Sequence, residues 1–148
     1  MATQQQGVST ESEGVVVRRA TPRDAEVCGR ICFDAFATLA KKHNFPPDFP
    51  DPERPTHVLS MMFSHPSFFC VVAEQNGKVV GSNCLDERTS IAGLGPITID
   101  PDVQNRTVGR QLMHAVMGVR RRGSSQGYVS FRRLTTTARS LFMQNSAL

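Results

Sequence analysis

The chain has 148 residues, a 39% hydrophobic share and a net charge of +4. That length suits about one domain, and the apolar share suits a globular chain rather than a disordered one. No run approaches the roughly 18 apolar residues of a membrane span. The charge is unevenly spread. The first 123 residues carry 14 basic against 13 acidic side chains, and Arg132, Arg133 and Arg139 lie beyond them. A nucleic-acid binder should carry its excess on the folded body, so no nucleic-acid partner is expected, and no membrane. Four cysteines, Cys28, Cys32, Cys70 and Cys84, form no paired Cys-x-x-Cys and join no His cluster. They are expected to be buried free thiols in a reducing compartment, with no metal bound.

Met1 to Gly14 is polar and has no apolar core, so it reads as a disordered tail and not a secretory signal; a cytoplasmic protein follows as the default. Val15 to Arg19 is a short β-rich run. Thr21-Pro22-Arg23-Asp24 opens a helix, with Thr21 as N-cap and Asp24 as the capping-box acid. The helix is expected to reach about Lys42, with Cys28, Ile31, Cys32, Ala35, Phe36 and Leu39 as its buried stripe. Residues 44–55 hold five prolines in twelve positions, which predicts a stiff loop without helix or inner strand. Phe45 and Phe49 on that loop read either as a hydrophobic wall for a substrate or as pins to the core. His57 to Ser64 is a short helix with Thr56 as its cap.

Phe68 to Ala73 is a buried strand, Asn76-Gly77 a hairpin turn and Lys78 to Leu85 the return strand. Gly95 to Ile99 adds a third antiparallel strand, which Asp100-Pro101-Asp102 stops because proline cannot donate to a ladder. Then comes a basic turn, Gln104-Asn105-Arg106-Thr107-Val108-Gly109-Arg110. From Val108 the apolar residues fall at Leu112, Ala115, Val116 and Val119, which is helical spacing. A polar loop thus delivers unpaired N–H groups and a positive dipole end to one spot, which suits a phosphate. Arg106 and Arg110 add charge there.

This stretch resembles motif A of the GNAT superfamily of acyl-CoA-dependent N-acyltransferases, which runs strand, then [Gln/Arg]-x-x-Gly-x-[Gly/Ala], then helix. Gln104 takes the first place and Gly109 the last, while Thr107 stands where the middle glycine belongs. The flanking Gly-Pro-Ile-Thr-Ile-Asp-Pro and Arg-Gln-Leu-Met are similar to the same family, as is the opening Arg-x-Ala-Thr-x-x-Asp. The resemblance implies an α/β (α+β) fold: a mixed sheet, antiparallel meander then βαβ, with helices on both faces. It implies an N-acetyltransferase that moves an acetyl group from acetyl-CoA to a primary amine of a small molecule or peptide. Gln104, Asn105, Arg106, Thr107, Val108, Gly109 and Arg110 would hold the diphosphate. Ile97, Thr98 and Ile99 would hydrogen-bond the pantetheine arm, and the backbone N–H of Ile97 would serve as oxyanion donor. Phe45 and Phe49 would lie on the acceptor side.

Proton traffic is poorly provided. Asp86 and Glu87, at the end of the return strand Lys78 to Leu85, are candidate general bases, with Glu74 behind them; each reads more readily as a solvated strand-end carboxylate. Thr107 costs about 1 kcal/mol or more relative to glycine if its φ is positive, and nothing if its φ is negative.

From about Ser124 the text departs from the family pattern. Phe142 sits near the place of the tyrosine that usually protonates the leaving thiolate, and it has no proton to give. Moving the reading frame back by one nucleotide across Ser125 to Leu148 allows codons spelling FAGVRLVQAAYHNRSLSLYAKLGF. That string is similar to the missing strand, helix and Leu-Tyr-x-x-x-Gly-Phe motif, although synonymous choice is free at many places. The expectation is a frameshifted tail after about Gly123, hence a domain over 15–148 that lacks its last strands. Coding DNA whose alternative frame holds stops, or spells no such motif, refutes it.

Overall fold

A computed structural model of the chain describes residues 14–103, 106–123 and 129–130, with backbone alone for Arg106, 119–123 and 129–130. The elements run β1 (Val16–Arg19), a 3₁₀ turn (Pro22–Asp24), α1 (Ala25–Lys42), α2 (Glu53–Ser64), β2 (Phe68–Gln75) and β3 (Lys78–Asp86). Then follow β4 (Ala92–Leu94), β5 (Thr98–Ile99), α3 (Arg106–Gly123) and β6 (Val129–Ser130). One sheet joins them in the order β1-β2-β3-β4-β6, with β5 also paired to β3. All pairings are antiparallel except β4 with β6, which is parallel, as a crossover through α3 requires. This is the expected mixed sheet with helices on both faces.

Strand alternation sorts the core into two layers. Cys70, Val72 and Cys84 join Cys28, Cys32, Leu59 and Met62 on the α1/α2 side. Val71, Ala73 and Leu85 join Val108, Leu112 and Val116 beneath α3. The helical spacing of the last three is what brings α3 down on the sheet. Asn76 and Gly77 both have positive φ, 52° and 73°, which is the two-residue turn that matches strand twist.

The start of α1 is held as its sequence predicts. The Thr21 N–H donates to Asp24 Oδ2 at 2.7 Å, and the Arg18 guanidinium pairs with Asp24 at 2.8 Å and Glu74 at 2.7 Å. Arg18 hydrogen bonds outweigh the cost of burial and hold the Asp24 carboxyl at about 2.

Four sequence expectations need correction. Leu39 is 47% exposed, and Ala40 is the buried residue at that end of α1. The second helix begins at Glu53, so the last proline of the loop, Pro55, lies within its first turn, where no N–H is needed. Asp51 accepts from the Arg54 N–H there, and Thr56, expected as the cap, sits inside the helix and donates to Pro52 O. The strand expected over Gly95–Ile99 is only its last two residues, β5, while a separate strand, β4, that the sequence reading did not anticipate lies just before it. Finally, Cys70 and Cys84 face each other across β2 and β3 with Cα atoms 4.1 Å apart, and their sulfurs form a disulfide. Cys28 and Cys32 are free and buried as expected, and burial pushes both thiols up to about 12, so they stay protonated and inert. The tail expected to be disordered (1–13 of it) and the shifted-frame segment, apart from 129–130, lie outside the described residues.

Candidate active site

The interruption between β4 and β5 is the feature that makes a site. Residues 93 and 94 pair with Asp86 and Leu85, and residues 98 and 99 pair with Ser82 and Gly81. Three residues, 95–97, therefore face only two on β3, which is a bulge. Gly95 supplies the positive φ of 118° that opens it, and its N–H donates to Cys84 O at 2.8 Å.

Beyond the bulge the neighbours change. β4 is bordered by β3 on one side and by β6 on the other, whereas β3 is the only strand paired with β5 among the described residues. Asp100 donates to Val80 O at 2.8 Å, so Asp100 and Thr98 turn their backbone groups toward β3. Alternation turns the N–H and C=O of Ile99 toward the open edge. Ile97 sits in the bulge, in neither ladder. Asp100 then ends the strand by accepting the Asp102 N–H on its side chain and the Val103 N–H on its carbonyl.

Helix α3 starts beside this edge. Gly109 allows it: a Cβ built there would stand 3.0 Å from Ile99 Cδ1. Gly81 does the same from β3, where a Cβ would stand 2.8 Å from Thr98 O and 3.2 Å from Leu112 Cδ1. The sheet and the helix start are therefore seated closely, with the tighter limit at Gly81, where the nearest atom is backbone. Thr107 lies within the helix, and Asn44 and Asn76 are the only non-glycine residues with positive φ among the described residues. Threonine in the middle-glycine place is thus the harmless case. Val108 is buried, Thr107 and Arg110 are exposed, and Arg110 has no acidic partner among the described residues. Gln104 and Asn105 lie outside the described residues, as does the Arg106 side chain.

The remaining candidates are placed apart from this junction. Asp86 lies at the far end of β3, opposite Gly93 and not the bulge. Partial burial raises its pKa, but the Arg88 hydrogen bonds, with an ion pair at 2.7 Å, win and hold it below the usual carboxylate range. A base held low by a guanidinium accepts a proton poorly. Glu87 is exposed, with its N–H bound to Ser67 O. Glu74 is engaged by Arg18. Phe49 packs edge-on to Phe36 at 5.5 Å and against the α1/α2 core layer, so it pins its loop. Phe45 is half exposed and stacks on His43. No cluster of three or more His, Cys, Asp or Glu side chains able to hold a metal occurs among the described residues, and no helix there is long and apolar enough to cross a membrane.

Sequence reasoning missed Gly81, Ser82, Asn83 and the bulge itself. The signal was present: Gly81-Ser82-Asn83 interrupts an otherwise apolar strand, and glycine within a strand marks a close backbone approach.

The fold recurs in solved structures. A GNAT family acetyltransferase from Brucella melitensis, in complex with acetyl-CoA, superposes with a TM-score of 0.62 at 20% identity, over 86% of this chain and 82% of that one. An aminoglycoside N-acetyltransferase in complex with CoA gives 0.61 at 12% identity, over 89% and 86%. A ribosomal-protein-alanine N-acetyltransferase from Brucella melitensis biovar Abortus 2308 gives 0.54 at 15% identity, over 88% and 89%. At these identities the likeness is one of fold. No curated protein matches the chain in sequence. The family model for the acetyltransferase (GNAT) family matches residues 13–141. With most of its length covered by that match, and with a strand opening at a bulge beside a glycine-seated helix start, the chain belongs to the GNAT acetyltransferase family.

Proposed function

We propose that the protein transfers the acetyl group of acetyl-CoA to a primary amine by direct attack within a ternary complex. The carrying observation is the edge of β5, left unpaired by any strand among the described residues, beside the start of α3. The edge offers backbone hydrogen bonds to an extended amide-containing arm, and the helix start offers N–H donors and a positive dipole end to a diphosphate. In this reading residues 104–110 hold the diphosphate, Ile97 to Ile99 hold the arm, and the Ile97 N–H faces the thioester oxygen. The ammonium first gives one proton to the base; the neutral amine then attacks the thioester carbon, the C–S bond breaks, the amine's second proton passes to the leaving thiolate, and the amide and free thiol are the products. Of the paired carboxylates, Glu87 is the better base, because Arg88 neutralises Asp86. Water completes the relay from the amine. Phe45 and Phe49 border the acceptor side, and the acceptor is a small molecule or a peptide amine.

A second reading is supported by Phe142, which stands at the family's tyrosine place. It is an acyl-CoA-binding chain without turnover, the outcome expected of a frameshifted tail. Calorimetric titration with acetyl-CoA tests both readings, and absence of heat sinks both in favour of a basic interaction module. Thiol release with a panel of primary amines separates them: turnover supports the enzyme, and binding without release supports the remnant.

A further inference from the structure

Three of the four buried polar side chains among the described residues, Ser82, Asn83 and Thr98, lie at the junction of β3 and β5. Asn83 is the strangest. It is fully buried on β3, between Ser82, which pairs with Thr98, and Cys84, whose carbonyl accepts the Gly95 N–H. It therefore lies directly opposite the bulge. Its side chain reaches the other way, into the α3 layer, where Nδ2 donates to Leu112 O at 3.4 Å. Oδ1 has no hydrogen-bond partner among the described residues.

Stability does not account for this residue. A buried acceptor left unmet costs about 1–3 kcal/mol, and an apolar side chain of similar size would avoid it. The surrounding layer, Val71, Leu85, Leu112 and Val116, is apolar already. The one thing Asn83 does that leucine would not is to bond the helix to the strand across the bulge. Leu112 lies six residues past the start of α3, about 9 Å along the axis.

We propose that Asn83 is a positioning residue for the coenzyme. It fixes the helix start, which grips the diphosphate, relative to the bulge, which grips the thioester. This rests on the acetyl-CoA reading above. A ligand held at both ends loses affinity when the ends move independently, and small misplacements of that kind cost roughly tenfold or more. A ligand held at one end does not.

The test is calorimetry on the full chain and on Asn83→Leu and Asn83→Val, with acetyl-CoA and with adenosine diphosphate, alongside thermal melts. The two variants differ in volume, so at least one should fit the layer. The expected result is acetyl-CoA binding about tenfold weaker, adenosine diphosphate binding unchanged, and a melting temperature unchanged or higher. Acetyl-CoA binding within twofold of the natural chain overturns the positioning role and leaves the coenzyme reading standing. Equal losses for both ligands, or two variants that fail to fold, assign Asn83 to structure alone and overturn it too. If the natural chain binds no acetyl-CoA, the coenzyme reading falls and this inference with it.

Discussion

Gly81→Ala is the sharpest probe of the site's geometry. The new Cβ would stand 2.8 Å from Thr98 O, 3.2 Å from Leu112 Cδ1 and 3.4 Å from the Ile99 Cα. Carbon contacts are comfortable near ~3.5 Å, and the closest atom here is backbone, so it cannot rotate away. β5 must retreat from β3 by roughly half an ångström, or the hairpin must bend. Overpacking of this kind costs about 1–3 kcal/mol. For a chain of this length that lowers the melting temperature by about 3–10 °C. The displaced residues are those assigned to the coenzyme arm, so acetyl-CoA binding should weaken by about tenfold even where the protein is fully folded. Gly93→Ala in β4 is the matched control, because its Cβ would stand 3.5 Å from Asp86 Cβ, an ordinary contact. Scanning calorimetry and titration of both variants read the two effects. If the two alanines behave alike, or if Gly81→Ala keeps the natural melting temperature and affinity, the close seating of β5 on β3 does not shape the site.

Thr107→Gly restores the family's glycine but gains nothing here, since the position is helical. Stability should fall by only about 0.3 kcal/mol in urea melts, with acetyl-CoA affinity unchanged; a tenfold tighter complex would contradict the helical assignment. Arg110→Ala removes an exposed cation without an acidic partner among the described residues. Acetyl-CoA should bind about tenfold more weakly, the worth of one charge-assisted hydrogen bond, while stability holds; unchanged calorimetric affinity would remove Arg110 from the site. Asp24 governs the acid limb of stability. Its folded pKa of about 2 lies below the ordinary 3.8, so its contribution is complete above pH ~4 and fades as pH falls toward 2. Discounted for the 37% exposure of the Arg18 side chain, Asp24→Asn should cost roughly 1–2 kcal/mol at pH 6 and little at pH 2 in urea melts. An equal cost at both pH values would refute the ion-pair account.

Of the features at the site, the strand end and the helix start were legible in the sequence, and the bulge and the side-chain partners were not. Asp100-Pro101 marks a strand end, because proline cannot donate to a ladder, and Gly109 marks the turn that opens the helix. Periodicity from Val108 onward located the helix that seats there. What escaped was pairing. Only the partner strand reveals that three residues, 95–97, stand against two on β3. The disulfide escaped for the same reason, because register alone sets Cys70 opposite Cys84. Prolines misled in one place: Pro55 was read as excluding helix, yet the first turn has no use for its missing N–H.

The candidate bases show why acceptor chemistry resists such reading. Asp86 and Glu87 are adjacent in sequence and alike in charge, and sequence offers no ground for choosing. The fold separates them through one neighbour, since Arg88 turns back to close two hydrogen bonds on Asp86 at 2.9 and 2.7 Å while Glu87 stays exposed. Neither choice is imprinted on backbone dihedrals, so neither leaves a glycine or a proline behind as a marker. If Glu87 carries the proton, Glu87→Gln should lower kcat with little change in acetyl-CoA affinity, whereas Asp86→Asn should leave turnover near the natural rate. A variant pair that reversed this order would show that substrate binding displaces Arg88 and frees Asp86 to act.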